Sequence, residues 1–357
     1  MNPLLQLKSL GQSPWLDYIQ RGMLVDGKLL NLMENDGICG VTSNPSIFAK
    51  AILNHDDYTD AISALRKNCR TIETLYEQLV LEDIRMAADQ LMPLYKSSGK
   101  RDGYVSLEVS PELAYDAQDT VNEAQRLWAA IDRANAMIKV PATRPGLVAI
   151  QELTAFGINV NATLIFSPQR YEEVAVAWQE GLLQRLQKNK TIDHIASVAS
   201  FFVSRIDTLA DQLLEDRNST VLGKVAVATA KLAYQTFRKL QQGTQWQKLA
   251  RHDAQLQRLL WASTSTKNPA YSDIKYVEEL VAKHTVNTLP PTTLEAYLDH
   301  GHPEIRIETA LDEAQAVMTS LEGHGINFKE MAAQLEQEGV RKFQVSYQKL
   351  LEALEQA

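Results

Sequence analysis

Short apolar runs alternate with long amphipathic segments along this chain, eight times over, and that alternation narrows the possible folds more than any other feature. The runs lie at 14–19, 38–43, 104–109, 136–141, 159–166, 196–203, 259–263 and 285–289, each with the length and apolar character of a buried strand. Between them apolar residues recur at helical spacing. Ile72, Leu75, Tyr76, Leu79 and Val80 follow i, i+3, i+4, i+7, i+8, and Tyr171, Val174, Ala175 and Trp178 repeat the pattern. The alanine-rich stretch 225–232 does so less cleanly, and Phe343, Tyr347, Leu350, Leu351 and Leu354 form a last stripe. These stripes read as core faces.

Strands that alternate with helices imply parallel βαβ units, which serve both a doubly wound sheet and a closed barrel. Eight strands in 357 residues favour an α/β architecture of the (β/α)8 TIM-barrel kind, with additional helices between 211 and 258 and after Gly301. No low-complexity linker, Pro/Gly/Ser tract or fixed-period repeat interrupts the chain, so one domain over 1–357 is expected.

Charge narrows the partners. The formal net charge of −8 argues against nucleic acid or an anionic membrane as the main partner, while leaving room for a small anion at a local cationic site. No run of 18 apolar residues and no secretory h-region occur, and Cys39 and Cys69 read as reduced thiols; a cytoplasmic protein is the expectation. There is no GxGxxG, Walker A, HExxH or nucleophile-elbow motif. His300-Gly301-His302 resembles half a metal site but has no third ligand nearby, so a solvent loop is the simpler reading.

Lys139 is the residue that calls for chemistry. It lies in Asn135-Ala136-Met137-Ile138-Lys139-Val140-Pro141-Ala142. Desolvation disfavours the charged ammonium form, and a neutral buried amine near a strand end is what imine formation with a ketone requires. The alternative is a lysine whose head snorkels past the strand end into water. Catalytic residues of such barrels come from the C-terminal ends of the strands. Strand by strand, the polar residues there are Asp17; Thr42, Ser43 and Asn44; Glu108; Lys139; Asn161 and Thr163; Ser200, followed by Arg205; Ser263, followed by Lys267; and Asn287 with Thr288. The set is chemically coherent. One lysine serves as nucleophile, two carboxylates move protons, amides and hydroxyls orient sugar hydroxyls, and Arg205 with Lys267 holds a phosphate. Plainer roles exist for several. Asp17 can cap a helix starting near Tyr18, Asn44-Pro45-Ser46 is a turn or N-cap signal in any case, Thr163 and Ser200 can be ordinary strand residues, Arg205 can pair with Asp207 or Asp211, and Lys267 can be plain surface. Glu108, between Leu107 and Val109, needs a buried partner, and Lys139 is the obvious one.

The segments Gly40-Val41-Thr42-Ser43-Asn44-Pro45-Ser46, Val105-Ser106-Leu107-Glu108-Val109-Ser110, Met137-Ile138-Lys139-Val140-Pro141-Ala142, 157–167 and 200–207, in that order, resemble the transaldolase family, in its longer bacterial form. The resemblance implies a (β/α)8 barrel, a Schiff-base lysine at Lys139, and transfer of a dihydroxyacetone unit from sedoheptulose 7-phosphate to glyceraldehyde 3-phosphate, giving erythrose 4-phosphate and fructose 6-phosphate. It implies no metal and no organic cofactor. It implies that Glu108, with Thr163 and a bound water, shuttles protons, and that Asp17 takes the proton of the C4 hydroxyl. Asn44 and Asn161 would hold the dihydroxyacetone hydroxyls with support from Thr42 and Ser200, and Arg205 would hold the phosphate with help from Ser263. Many family members carry an arginine shortly after the strand-seven serine; here Lys267 is the nearby cation, and a lysine grips phosphate only as a point charge. The related fructose-6-phosphate aldolase branch resembles a shorter chain with glutamine where Glu108 stands and tyrosine where Phe202 stands, so both residues favour the transferase. A phosphosugar-binding barrel without catalysis, or a structural part of a larger assembly, remain as alternatives. The sequence leaves monomer or homodimer open.

Overall fold

The apolar runs become eight parallel strands closed into one barrel, each strand bonded to the next and β8 returning to β1. The structure is a computed structural model that describes residues 2–356 apart from 216 and 218, so positions 1 and 357 of the expected domain lie outside the described residues. The strands are β1 (Gln12–Leu16), β2 (Gly40–Val41), β3 (Tyr104–Glu108), β4 (Ala136–Pro141), β5 (Val160–Ile165), β6 (Ser197–Phe202), β7 (Arg258–Ala262) and β8 (Thr285–Leu289), and every residue in them is buried. Closure of the β1–β8 seam, in register from Gln12↔Thr285 to Leu16↔Leu289, excludes the doubly wound sheet.

The helices cover the outside and start where the chain says they should. Asn44 caps Pro45–Leu53 by accepting from Ile47 N at 3.0 Å, and Thr143 and Ser167 cap Arg144–Phe156 and Pro168–Gln187 in the same way. The added helices expected after 211 are Val225–Gln242 and Thr244–Ala250, and those after Gly301 are Leu311–Gly323 and Phe328–Gln356. Among the described residues no helix is long and apolar enough to cross a membrane.

Several strand limits differ from the sequence reading by a residue, and β1 and β2 differ by more. β1 ends at Leu16, so Asp17 stands just beyond it, although its N–H still reaches Leu289 O at 2.8 Å. β2 shrinks to two residues. Thr42 N–H donates to Leu16 O, but the residue before Pro45 is biased to an extended cap, and the helix follows immediately. In β5 the register shifts between Ala162 and Ile165, where Leu164 adopts φ +61°, a left-handed conformation that costs a branched residue energy.

At the barrel's N-terminal end buried polar side chains tie neighbouring elements together. Asn159 Nδ2 donates to Ala134 O and Ala136 O while its Oδ1 accepts from Ala196 N. Asn135 bridges Ala88 O and Gly103 O. Arg258 pairs with Asp102 at 3.0 Å and donates to Ser13 Oγ and Arg101 O. The opposite end is built differently.

Candidate active site

Glu108 and Lys139 are register partners on β3 and β4, so they share the inward face. Lys139 is 4% exposed, which rules out the snorkelling alternative. Its Nζ donates to Glu108 Oε2 at 3.0 Å and to Ser43 O at 3.1 Å. Ser43 is itself held, because its hydroxyl donates to Ser106 O at 2.6 Å. Burial pushes the Glu108 carboxyl above the ordinary carboxylate range, and the Lys139 charge pulls the other way. The second carboxylate oxygen, Oε1, and Thr163 Oγ1 on β5 are buried with no partner among the described residues, unlike most buried polar atoms.

Asp17 does not cap a helix; the next one begins at Arg21. It accepts from Thr42 Oγ1 at 2.6 Å, and that hydroxyl also meets Thr288 Oγ1 at 2.6 Å. Burial raises the Asp17 carboxyl, opposed by the Thr42 bond and by the positive charges of Lys139, Arg205 and Lys267. The two carboxyls and the amine therefore sit in one electrostatic neighbourhood.

Asp17 and Lys139 face a cavity of about 500 Å³ at the C-terminal mouth of the barrel, walled by Asp17, Thr42, Asn44, Lys139, Thr163 and Ser200 on the barrel side and by Arg205, Ser263 and Lys267 farther round, while Glu108 stands behind Lys139 and lines a neighbouring cavity with Ser43 and Tyr76. Asn44 both caps its helix and reaches the cavity. Asn161, expected to touch substrate, lies behind the wall: its amide donates to Ser106 Oγ at 3.0 Å and its Oδ1 accepts from Ser200 Oγ at 2.7 Å, which orients Ser200.

Arg205 stands in the first turn of Ser204–Leu214, with its guanidinium over Phe202 at 5.1 Å. The pairing considered with Asp207 or Asp211 does not occur. Asp207 accepts from Ala226 N and Tyr276 OH, and Asp211 accepts from Gly223 N and Tyr271 OH. Arg205 Nη1 is buried and unpartnered, and among the described residues no carboxylate lies within ion-pair distance of its guanidinium. Burial lowers its pKa, yet a guanidinium starts so high that it stays charged. Ser263, at φ +55°, meets Ser204 Oγ at 2.9 Å, and Lys267 donates to Ser265 Oγ at 2.6 Å rather than to a carboxylate. Lys267 is lowered by burial and then by the charges of Arg205 and Lys50, so three cations crowd one side of the mouth. A cluster of this kind, uncompensated in an acidic protein, is suited to a multiply charged anion.

Among the wall residues that sequence reasoning missed, two matter for the chemistry. Lys50 lies one turn beyond Ser46 on the helix that Asn44 caps, and that i, i+4 spacing was a usable signal. Phe343 reads as part of a core stripe yet lines the cavity, and no sequence pattern distinguishes the two. His300 is exposed and paired with Asp273 and Asp299, and no group of three metal-ligating side chains occurs among the described residues.

A closed (β/α)8 barrel with a buried lysine–carboxylate pair at its C-terminal mouth and a cluster of cations beside it defines an enzyme class, the barrels that can work on small phosphorylated carbonyl compounds through an amine. The chain belongs to the transaldolase/fructose-6-phosphate aldolase family, whose model matches residues 14–354. It is 47% identical over 371 residues to "Transaldolase 2" of Nostoc sp., covering 99% of this chain and 97% of that protein. It is 45% identical over 355 residues to "Transaldolase" of Thiobacillus denitrificans (98% and 99% covered) and 43% identical over 354 residues to "Transaldolase" of Neisseria gonorrhoeae (99% and 100% covered).

Proposed function

We propose that the chain is a transaldolase of the non-oxidative pentose phosphate pathway, moving a dihydroxyacetone unit from sedoheptulose 7-phosphate to glyceraldehyde 3-phosphate. The observation that carries this reading is the buried contact of Lys139 Nζ with Glu108 Oε2, with Lys139 lining one cavity together with Asp17 and the cations Arg205, Lys267 and Lys50. Glu108 takes a proton from Lys139, and the free amine adds to the ketose carbonyl. Loss of water from the carbinolamine leaves a protonated imine. Glu108 and Thr163 each keep one buried oxygen free of protein partners, the right pair to hold the water that relays these protons. Asp17 takes the proton of the C4 hydroxyl; the C3–C4 bond breaks, an aldose phosphate leaves, and the bond's electrons pass into the imine to give an enamine on Lys139. An acceptor aldehyde then reacts by the reverse steps, with Asp17 returning the proton. Arg205, Lys267 and Ser263 hold the phosphate, Asn44 the three-carbon unit, and Thr42 and Ser200 support them, with Asn161 acting through Ser200.

The family model covers fructose-6-phosphate aldolases as well, so release of dihydroxyacetone is the second reading. Phe202 lines the cavity and offers no hydroxyl to protonate the enamine, which favours transfer. Both thiols are free, as suits the cytoplasm. Borohydride trapping tests the proposal. With fructose 6-phosphate the protein should gain a dihydroxyacetone-sized adduct on the Lys139 peptide, and folded protein that binds substrate without such an adduct would remove the imine mechanism.

A further inference from the structure

The helix Phe328–Gln356 follows all eight strands and packs across the mouth of the barrel. Its contacts run from one side of the mouth to the other. Glu336 pairs with Arg170 at 3.2 Å on the β5 side, Ser346 meets Ser46 Oγ at 2.7 Å, and Tyr347 packs edge-on to Tyr76 at 5.4 Å on the far side. Gly339 lets the helix lie close, because a Cβ there would stand 2.9 Å from Leu164 Cδ2, at the irregular turn of β5. Glycine inside a long helix is unfavourable relative to alanine, so its presence at the point of closest approach has a steric reason. One turn on, Phe343 enters the cavity. Its ring lies 5.4 Å from Lys139 Nζ and 6.0 Å from the Arg205 guanidinium, and Phe202 covers the same guanidinium at 5.1 Å.

We infer that Phe343 determines the outcome of the reaction: it roofs the covalent intermediate on Lys139 and holds it for an aldehyde acceptor instead of letting it go to water. The inference rests on the imine chemistry proposed above. Once the aldose has left, two fates compete. In transfer, C3 of the enamine forms a bond to the carbon of the aldehyde. In release, C3 takes a proton from solvent, water adds to C2 of the resulting imine, and the C2–nitrogen bond breaks to return Lys139 and free dihydroxyacetone. Only release consumes water at the intermediate. A phenyl ring beside the nitrogen keeps solvent from delivering the proton to C3, so the neutral enamine waits for the aldehyde.

The test uses the whole chain and the variants Phe343→Leu and Phe343→Met, the second keeping a long, flexible apolar side chain while losing the ring. Dihydroxyacetone release is measured against sugar-phosphate product formed, alongside borohydride trapping on Lys139. We expect trapping to persist in both variants and release per transfer to rise by about ten-fold, the change that about 1.4 kcal/mol in barrier gives. Variants that still trap the adduct but release no more dihydroxyacetone than the wild type would overturn the inference. An absent adduct in the wild type itself would overturn the imine reading, and this inference with it.

Discussion

Two arginines stand near opposite ends of the same barrel and have opposite surroundings. Arg258, at the start of β7, is 6% exposed and fully engaged: Asp102 at 3.0 Å, Ser13 Oγ at 2.8 Å and Arg101 O at 2.6 Å. Arg205, just past β6, has among the described residues no carboxylate within ion-pair distance, one buried donor without a partner, and a phenyl ring on two sides. A buried charge that is paired and hydrogen-bonded locks elements together; a charge left unpaired weakens the fold unless a ligand completes it. The N-terminal end of this barrel is therefore built for cohesion and the C-terminal mouth for binding, and the same residue type serves both because its neighbours differ.

The contrast can be broken in order of expected effect. Lys139→Arg keeps the charge and loses the nucleophile, so kcat should drop by about 10⁴-fold or more while the far-UV spectrum stays unchanged; near-normal turnover would detach the mouth from the chemistry. Arg258→Met should leave kcat per folded molecule intact but cost about 3–5 kcal/mol of stability in denaturant titration, because Asp102 is stranded in the interior. Removing the carboxylate as well, in Arg258→Met with Asp102→Leu, should recover most of that loss. Arg205→Met should do the reverse. Stability holds or improves, and KM for a phosphorylated ketose rises by about 10- to 100-fold, the loss of charge-assisted bonds worth about 1.5–3 kcal/mol. Unphosphorylated substrates should be insensitive, and equal sensitivity would show that Arg205 holds something other than phosphate.

The smallest effect concerns pH. Burial raises the Asp17 carboxyl, so its contribution to stability is greatest in acid, below the unfolded-state pKa, and is lost as pH rises through the folded-state value. Asp17→Asn should then melt higher than the wild type near neutrality, with the margin narrowing as pH falls, although it is inactive throughout. A margin that widens in acid would mean that Asp17 is stabilised at the mouth instead of strained there. If Glu108 and Asp17 carry the proton transfers proposed for them, the acidic limb of kcat/KM should lie above the range of an ordinary carboxylate, and a limb within that range would count against those roles.

Much of this was legible in the chain alone. A period-2 or continuous apolar run and a 3.6-residue stripe are local patterns, so eight strands, their helices and the polar residues at strand ends could be counted without coordinates. Asn44 illustrates a signal that is legible twice over, as the cap of a helix and as a cavity residue, because a cap before proline sits where a barrel loop turns. The short extent of β2 was not legible, since Ile38, Cys39 and Val41 are equally apolar in and out of a ladder.

What the sequence by itself determined is the list of chemical groups and their order: an amine in an apolar strand, two carboxylates, a cluster of hydroxyls and amides, and cations after strands six and seven. What only the tertiary structure decided is which of them meet. Barrel closure sets Glu108 beside Lys139, brings Thr42 to Asp17 and Thr288, and turns Asn161 away from the cavity toward Ser200. It also brings Phe343, more than two hundred positions from Lys139 along the chain, over that amine. Secondary structure follows from interactions among near neighbours, whereas register between strands and the seating of a last helix are set by the packing of the whole chain.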